Sequence, residues 1–188
     1  MKTVLKSMQK KSNKIPEDLL PVFENIVQKY EVLNQPSLGS DCEEEFRLAL
    51  EEHLTAEQRF LLFEQNGGCK GTGRDKERIH FANENAVLPL VDRIKLFNVT
   101  YGRNIVLNDD NTITVAFSCT HGYYKKAREQ KNFTIPKTIL SYFEQCAGGR
   151  LYEYQKALGI KLKIKSVDIT PLEENIVNPV LFTFEIVN

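Results

Sequence analysis

The sequence has no excess of either charge and no long apolar run. Its 25 Lys and Arg residues balance its 25 Asp and Glu residues. This balance removes the usual electrostatic basis for binding nucleic acid or an anionic membrane, since proteins that do so carry a basic excess. No stretch approaches the roughly 18 apolar residues that a membrane-spanning helix needs. We therefore expect a soluble, cytoplasmic protein that has neither nucleic acid nor membrane as a partner.

Several catalytic and cofactor motifs are also missing. The sequence contains no Gly-x-Ser-x-Gly, no His-Glu-x-x-His and no dinucleotide-binding glycine pattern after a strand. The glycine-rich residues 68–74 lack the Gly-Lys-Ser/Thr that a phosphate-binding loop carries before its helix. No nucleotide cofactor is therefore expected.

The net charge of zero is the sum of segments whose charges differ in sign. Residues 1–14 carry five Lys and no acid, residues 17–64 have a net charge of −9, and residues 65–188 have a net charge of +4. A charged ligand of the second half is therefore expected to be a small anion.

The first third of the chain has helical periodicity. Apolar residues recur at three- and four-residue steps over residues 15–33. Ser40 with Glu43, and Thr55 with Gln58, have the spacing of capping boxes that begin two further helices.

The second half has mainly strand patterns. Residues 104–107 and 112–118 read as a hairpin, and residues 161–169 and 180–187 as two closing strands, with a long helix that begins after Pro136 in between. Helices come first and strands follow, without alternating βαβ units. This order predicts an α+β fold in which N-terminal helices are followed by an antiparallel sheet with a long helix packed on it.

The length of 188 residues fits one domain. We expect a flexible basic lead-in over residues 1–14 and a single α+β domain over residues 15–188. That domain has a helical part, 15–66, and a mixed part, 67–188.

Two consecutive glycines, Gly148 and Gly149, lie inside the long predicted helix, where each costs about 1 kcal/mol relative to alanine. Two explanations remain open. Either a ligand or a neighbouring strand approaches the helix backbone closely, or the glycines mark a short break between two helices.

A group of cysteine and histidine residues is the main candidate site. If the second strand extends to Cys119 and His121, their i, i+2 spacing puts both side chains on one face. With Cys69 and Cys146 they provide the four donors of a tetrahedral zinc site. The alternative is that these are ordinary reduced cysteines in semi-buried positions.

The same residues also permit hydrolytic chemistry. Cys146 or a metal-bound water is a candidate nucleophile, and His121 is a candidate base. Arg74 and Lys125 are candidate anchors for a carboxylate, with Lys125 in a segment that can form a lid. Arg150 would favour a thiolate at Cys146 and is a third candidate ligand-binding residue.

Four segments of the second half carry a family resemblance. They are Cys-Thr-His-Gly at 119–122, Cys-Ala-Gly-Gly-Arg-Leu-Tyr-Glu at 146–153, Leu-Gly at 158–159 and the strand at 161–167. Together they resemble the L-2-amino-thiazoline-4-carboxylic acid hydrolase-like proteins and related 4-vinyl reductase-type small-molecule-binding domains, over roughly residues 60–188.

The resemblance implies an α+β domain with a ligand or metal held between sheet and helices. The sequence departs from the family pattern at two points. His121 stands where the family has the second Cys of a Cys-x-Cys, and the last strand has no Cys.

Three functions follow as open hypotheses. The first is a domain that binds a small molecule, a divalent metal or both, with zinc held by Cys69, Cys119, His121 and Cys146. The second is a hydrolase of a small carboxylate-bearing C–N or C–S compound. The third is an interaction scaffold without chemistry, and assembly into a homo-oligomer is compatible with each.

Overall fold

The computed structural model describes residues 2–10, 14–33, 39–68 and 72–187. A single 3-10 turn, Glu17–Leu19, leads into the second helix. The helices that precede the sheet are α1 (Lys2–Met8), α2 (Leu20–Leu33), α3 (Gly39–His53), α4 (Ala56–Asn66), α5 (Thr72–Glu84) and α6 (Leu90–Tyr101).

The strands of the described residues form one antiparallel sheet in the order β1-β2-β4-β3. They are β1 (Ile105–Leu107), β2 (Thr112–Phe117), β3 (Lys161–Asp168) and β4 (Val180–Val187). Helices α7 (Tyr123–Glu129) and α8 (Ile139–Leu158) lie between β2 and β3 in the chain, and the short α9 (Pro171–Glu174) joins β3 to β4. The predicted α+β architecture is confirmed.

Helix α8 packs on one face of the sheet because its apolar residues recur at helical spacing. Phe143 and Leu151 of this helix share a buried cluster with Ile113 of β2 and with Phe182 and Phe184 of β4. Burying one such side chain fully contributes about 1.5–3 kcal/mol. The alternation of buried and exposed residues along β3 and β4 puts the opposite face of the sheet toward solvent.

The glycine pair of α8 lets a second helix approach its backbone. A Cβ atom on Gly148 would lie 2.0 Å from the Phe63 carbonyl oxygen, and one on Gly149 would lie 1.8 Å from the Gly68 carbonyl oxygen. The Gly68 amide donates a hydrogen bond to the Gln145 carbonyl at 2.9 Å. Of the two explanations left open, close approach is correct, but the neighbour is the end of α4, and α8 runs through the glycines without a break.

The N-terminal helices form a second buried cluster, to which Phe23, Phe46 and Leu62 contribute. A buried ion pair connects this part to α8. Arg59 of α4 donates to both carboxylate oxygens of Glu144 at 2.8 and 2.9 Å, and both side chains are less than a tenth exposed. A bidentate arginine–carboxylate pair fixes the relative position of the two helices.

Two capping-box signals have different outcomes. The Thr55–Gln58 capping box is present at the start of α4, with both of its hydrogen bonds. Ser40 instead lies in the first turn of α3, because that helix already begins at Gly39.

Two parts of the structure differ from the local sequence patterns. Part of the basic N-terminal segment forms helix α1, because Val4 and Met8 pack in the buried cluster of the N-terminal helices. The segment that follows Gly122 forms helix α7, in which Tyr123 and Tyr124 are buried core residues. No helix in the described part of the chain is both long and apolar enough to cross a membrane.

Candidate functional site

A cavity of about 720 Å³ lies between β2 and α8. Its walls come from the end of β2 and the loop that follows, from one side of α8, and from residues 102–104 after α6. The apolar part of the lining includes Val115, Phe117 and Tyr154. Three arginines also line the cavity, Arg74 from α5, Arg103 and Arg150.

The end of α6 positions Arg103. The helix stops at Gly102, whose φ of 59° reverses the chain direction. The Asn98 side chain then donates to the Ile105 carbonyl at 2.8 Å and accepts from the Ile105 amide at 2.9 Å. These bonds tie α6 to β1 and leave Arg103 between them, at the edge of the cavity.

The carboxylate of Glu153 organises the arginines. Arg78 donates to its Oε1 through Nε at 3.0 Å and through Nη2 at 2.7 Å, and Arg103 Nη2 lies 3.3 Å from the same oxygen. Arg150, three residues earlier on α8, donates to Oε2. The Arg78 guanidinium also makes a cation–π contact with Tyr101, whose ring centre lies 3.6 Å away.

The electrostatic balance of this cluster is positive. Burial raises the pKa of Glu153, but the surrounding arginines outweigh burial and hold that pKa below its usual value. The carboxylate is therefore ionised at neutral pH. Since three arginines share this one carboxylate, the cluster carries a formal charge of +2.

A tyrosine hydroxyl provides a neutral polar group at the cavity wall. The Tyr142 hydroxyl accepts a hydrogen bond from the Tyr123 amide at 3.2 Å. Gly122 makes this contact possible, because a Cβ there would lie 2.2 Å from the Tyr142 oxygen. Burial, followed by the influence of Cys146, raises the pKa of Tyr142 to about 12. The hydroxyl is therefore protonated at neutral pH, and it also has a hydrogen bond with the Cys146 side chain.

The predicted zinc site is wrong. Strand β2 ends at Phe117, two residues before Cys119, so the alternation that would put Cys119 and His121 on one face does not apply. The Cys119 thiol folds back on its own loop, donating to the His121 carbonyl at 3.0 Å and accepting from the His121 amide at 3.3 Å. Cys69 lies outside the described residues.

No group of three or more His, Cys, Asp or Glu residues that could hold a metal occurs in the part of the chain that the structure describes. In particular, Cys119, His121 and Cys146 form no such group, although all three line the cavity. The hypothesis of a metal-binding domain built on three cysteines and one histidine is therefore withdrawn.

The structure brings most of the other candidate residues to one place. Arg74 and Arg150 line the cavity together with His121 and Cys146. Lys125 is exposed on α7 and is not among the described residues that line it. The catalytic roles of His121 and Cys146 stay predictions.

Two important residues were missed in the sequence. Glu153 could have been found, because it stands at i, i+3 from Arg150 in a segment with helical periodicity. Arg103 carries no local signal, since its contact with Glu153 joins residues 50 positions apart.

Comparison of this chain with family models, with curated proteins and with solved structures finds no match. The resemblance to the thiazoline-carboxylate hydrolase-like and 4-vinyl reductase-type domains therefore stays a prediction.

Proposed function

We propose that this protein binds a small organic anion in the cavity between β2 and α8. One observation carries the proposal. Arg74, Arg103 and Arg150 line the cavity, whereas none of the described lining residues is Asp or Glu. An anionic ligand supplies the negative charge that the cavity wall lacks.

The position of Arg150 strengthens the attraction. Its side chain is only 9% exposed, and charges that are shielded from water interact more strongly than charges at the surface. Charge-assisted hydrogen bonds from arginine to an anion are about twice as strong as neutral hydrogen bonds. Arg150 is therefore the main anchor, and the exposed Arg74 adds attraction nearer the solvent.

The rest of the cavity suits an apolar or aromatic ligand body. Its volume of about 720 Å³ falls within the range of small-molecule sites. Phe117 and Tyr154 offer aromatic surface. Aromatic surface next to charged and polar side chains suits a ligand that has an apolar body and an anionic group.

A matched pair of ligands tests the proposal. 2-Naphthoate and 2-naphthamide have the same ring system and differ in charge, and their affinities can be compared by isothermal titration calorimetry. We expect 2-naphthoate to bind at least about tenfold more tightly, because a hydrogen bond to a charged group contributes about 1.5–3 kcal/mol. Equal affinities for 2-naphthoate and 2-naphthamide contradict the proposal. The proposal is also contradicted if none of benzoate, phenylacetate and 2-naphthoate binds.

Two exposed positions on α5 offer a variant and its control. Arg74→Ala removes a charge at the cavity and should weaken 2-naphthoate binding severalfold. Lys76→Ala removes an exposed charge from the same helix at a position that does not line the cavity. It should leave the affinity unchanged. Equal losses in both variants point to a diffuse charge effect and contradict a specific site.

A further inference from the structure

We infer that the anionic group of the ligand is a phosphate monoester, an inference that depends on the proposed function. The arginine cluster beside the cavity has a surplus of positive charge. Arg78, Arg103 and Arg150 share the single carboxylate of Glu153, which leaves a formal charge of +2. A phosphate monoester carries a charge near −2 at neutral pH, whereas a carboxylate or sulfate ester carries −1.

One neighbouring acid, Glu77, offsets little of this surplus. Glu77 Oε2 lies 3.7 Å from Arg78 Nη1, but the Glu77 side chain is 64% exposed, and ion pairs of exposed groups contribute little. Arg74 also lines the cavity.

The cluster also contains unused hydrogen-bond donors. Arg103, which lines the cavity, has a buried Nε without a hydrogen-bond partner among the described residues. Arg78 Nη1 also has none, but Arg78 is not among the described residues that line the cavity. A buried donor without a partner costs about 1–3 kcal/mol. The Glu153 carboxylate accepts bonds on both oxygens and still does not satisfy these groups.

The directions from which the arginines come favour a tetrahedral group. Arg74 belongs to α5, Arg103 follows α6 and Arg150 belongs to α8. A planar carboxylate has two oxygens in one plane and is matched by one guanidinium, whereas a phosphate monoester has three terminal oxygens. Three guanidinium groups at one cavity provide more donors than a planar carboxylate can accept, and a phosphate monoester uses more of them.

A ligand series on one ring system separates charge from shape. 2-Naphthyl phosphate carries a charge near −2, 2-naphthyl sulfate is tetrahedral with a charge of −1, and 2-naphthoate is planar with a charge of −1. We expect the phosphate to bind at least tenfold more tightly than the sulfate at pH 7.5. This ratio should fall toward one at pH 5, because the second proton of a phosphate monoester binds with a pKa near 6.

The Arg103→Gln variant tests whether the preference for phosphate over sulfate depends on the arginine cluster. The variant should lower the ratio of phosphate to sulfate affinity, and Arg103→Lys should restore part of it. If Arg103→Gln fails to give the wild-type circular dichroism spectrum, Arg74→Ala replaces it and should reduce the same ratio.

The outcomes separate the two claims. If phosphate, sulfate and naphthoate bind equally well, and all bind better than 2-naphthamide, the phosphate inference is overturned and the proposed function stands. A phosphate-to-sulfate ratio that does not change between pH 7.5 and pH 5 also overturns the inference. If none of the anions binds better than 2-naphthamide, both claims are overturned.

Discussion

Replacing Gly148 with alanine should destabilise this protein, although the same change in an ordinary helix interior is stabilising. Alanine is favoured over glycine in helices by about 1 kcal/mol. In α8, however, the new Cβ atom would lie 2.0 Å from the carbonyl oxygen and 2.7 Å from the carbonyl carbon of Phe63. Optimal contact between such atoms is at about 3.5–4.0 Å.

The size of the destabilisation by Gly148→Ala depends on which atoms must move to make room for the Cβ atom. Both nearest atoms belong to the backbone of α4, so no side chain can rotate away, and the two helices must separate. Overpacking of a well-packed core costs about 1–3 kcal/mol, and the short distances put this case at the upper end. After the gain in helix propensity, we expect a net loss of about 2 kcal/mol. This corresponds to a fall of about 4–8 °C in the unfolding temperature for a chain of this size.

Urea denaturation followed by circular dichroism at 222 nm measures the loss, since the chain has no tryptophan to report by fluorescence. Gly68→Ala is the matched control, because a Cβ on Gly68 would lie 3.8 Å from its nearest neighbour, the Gln145 carbonyl oxygen. It should change the free energy of unfolding by less than about 0.5 kcal/mol. If Gly148→Ala is as stable as the wild type, the close packing of α4 on α8 is wrong.

Three further predictions concern polar contacts, each measured as the free energy of unfolding in urea. Arg59→Met should cost about 3–5 kcal/mol, because it leaves the Glu144 carboxylate buried without its partner. The double variant Arg59→Met/Glu144→Leu should recover most of that loss, and a double variant no more stable than the single one contradicts this explanation. Glu153→Gln should cost a similar amount at pH 7. Because folding lowers the pKa of Glu153, the carboxylate contributes stability above the unfolded value near 4.3 and loses that contribution as pH falls through the folded value. The difference between wild type and Glu153→Gln should therefore narrow below about pH 4.3, and a difference that stays constant with pH refutes the assignment. Thr55→Ala removes the capping box of α4 and should cost about 1 kcal/mol, whereas an unchanged stability shows that the cap is unimportant.

The parts of the fold that sequence patterns predicted well depend on local interactions. The Thr55–Gln58 capping box joins residues three positions apart, and its signal is complete within one helical turn. The strands β3 and β4 were found because their alternation of apolar and polar residues matches a sheet with one buried face. Such patterns predict elements without knowledge of their partners.

The parts that patterns could not predict depend on contacts between distant segments. The glycine pair of α8 looks like a helix break until the end of α4 is known to lie against it. The Cys119–His121 pair suggested a metal site because the end of a strand is not marked sharply by composition. The strand stops at Phe117, and the loop then turns the thiol onto its own backbone.

The candidate site also depends on contacts between distant segments, which sequence patterns do not predict. Arg150 and Arg74 were candidates from the sequence, but their shared role became visible only with Arg103 and Glu153 in place. The hydrogen bonds that join Arg78 and Arg103 to Glu153 span 75 and 50 residues, respectively. No sequence spacing rule covers contacts of that kind.

The central claim is that an organic anion binds at the arginines of the cavity, and nuclear magnetic resonance tests it most directly. The Nε–Hε signals of the arginines can be followed during a titration with 2-naphthoate, and each can be assigned by its loss in an Arg→Lys variant. We predict that the signals of Arg103 and Arg150 shift in a saturable manner, while the signal of the exposed Arg128 on α7 does not. Unchanged Arg103 and Arg150 signals, or a shift confined to Arg128, would contradict the account.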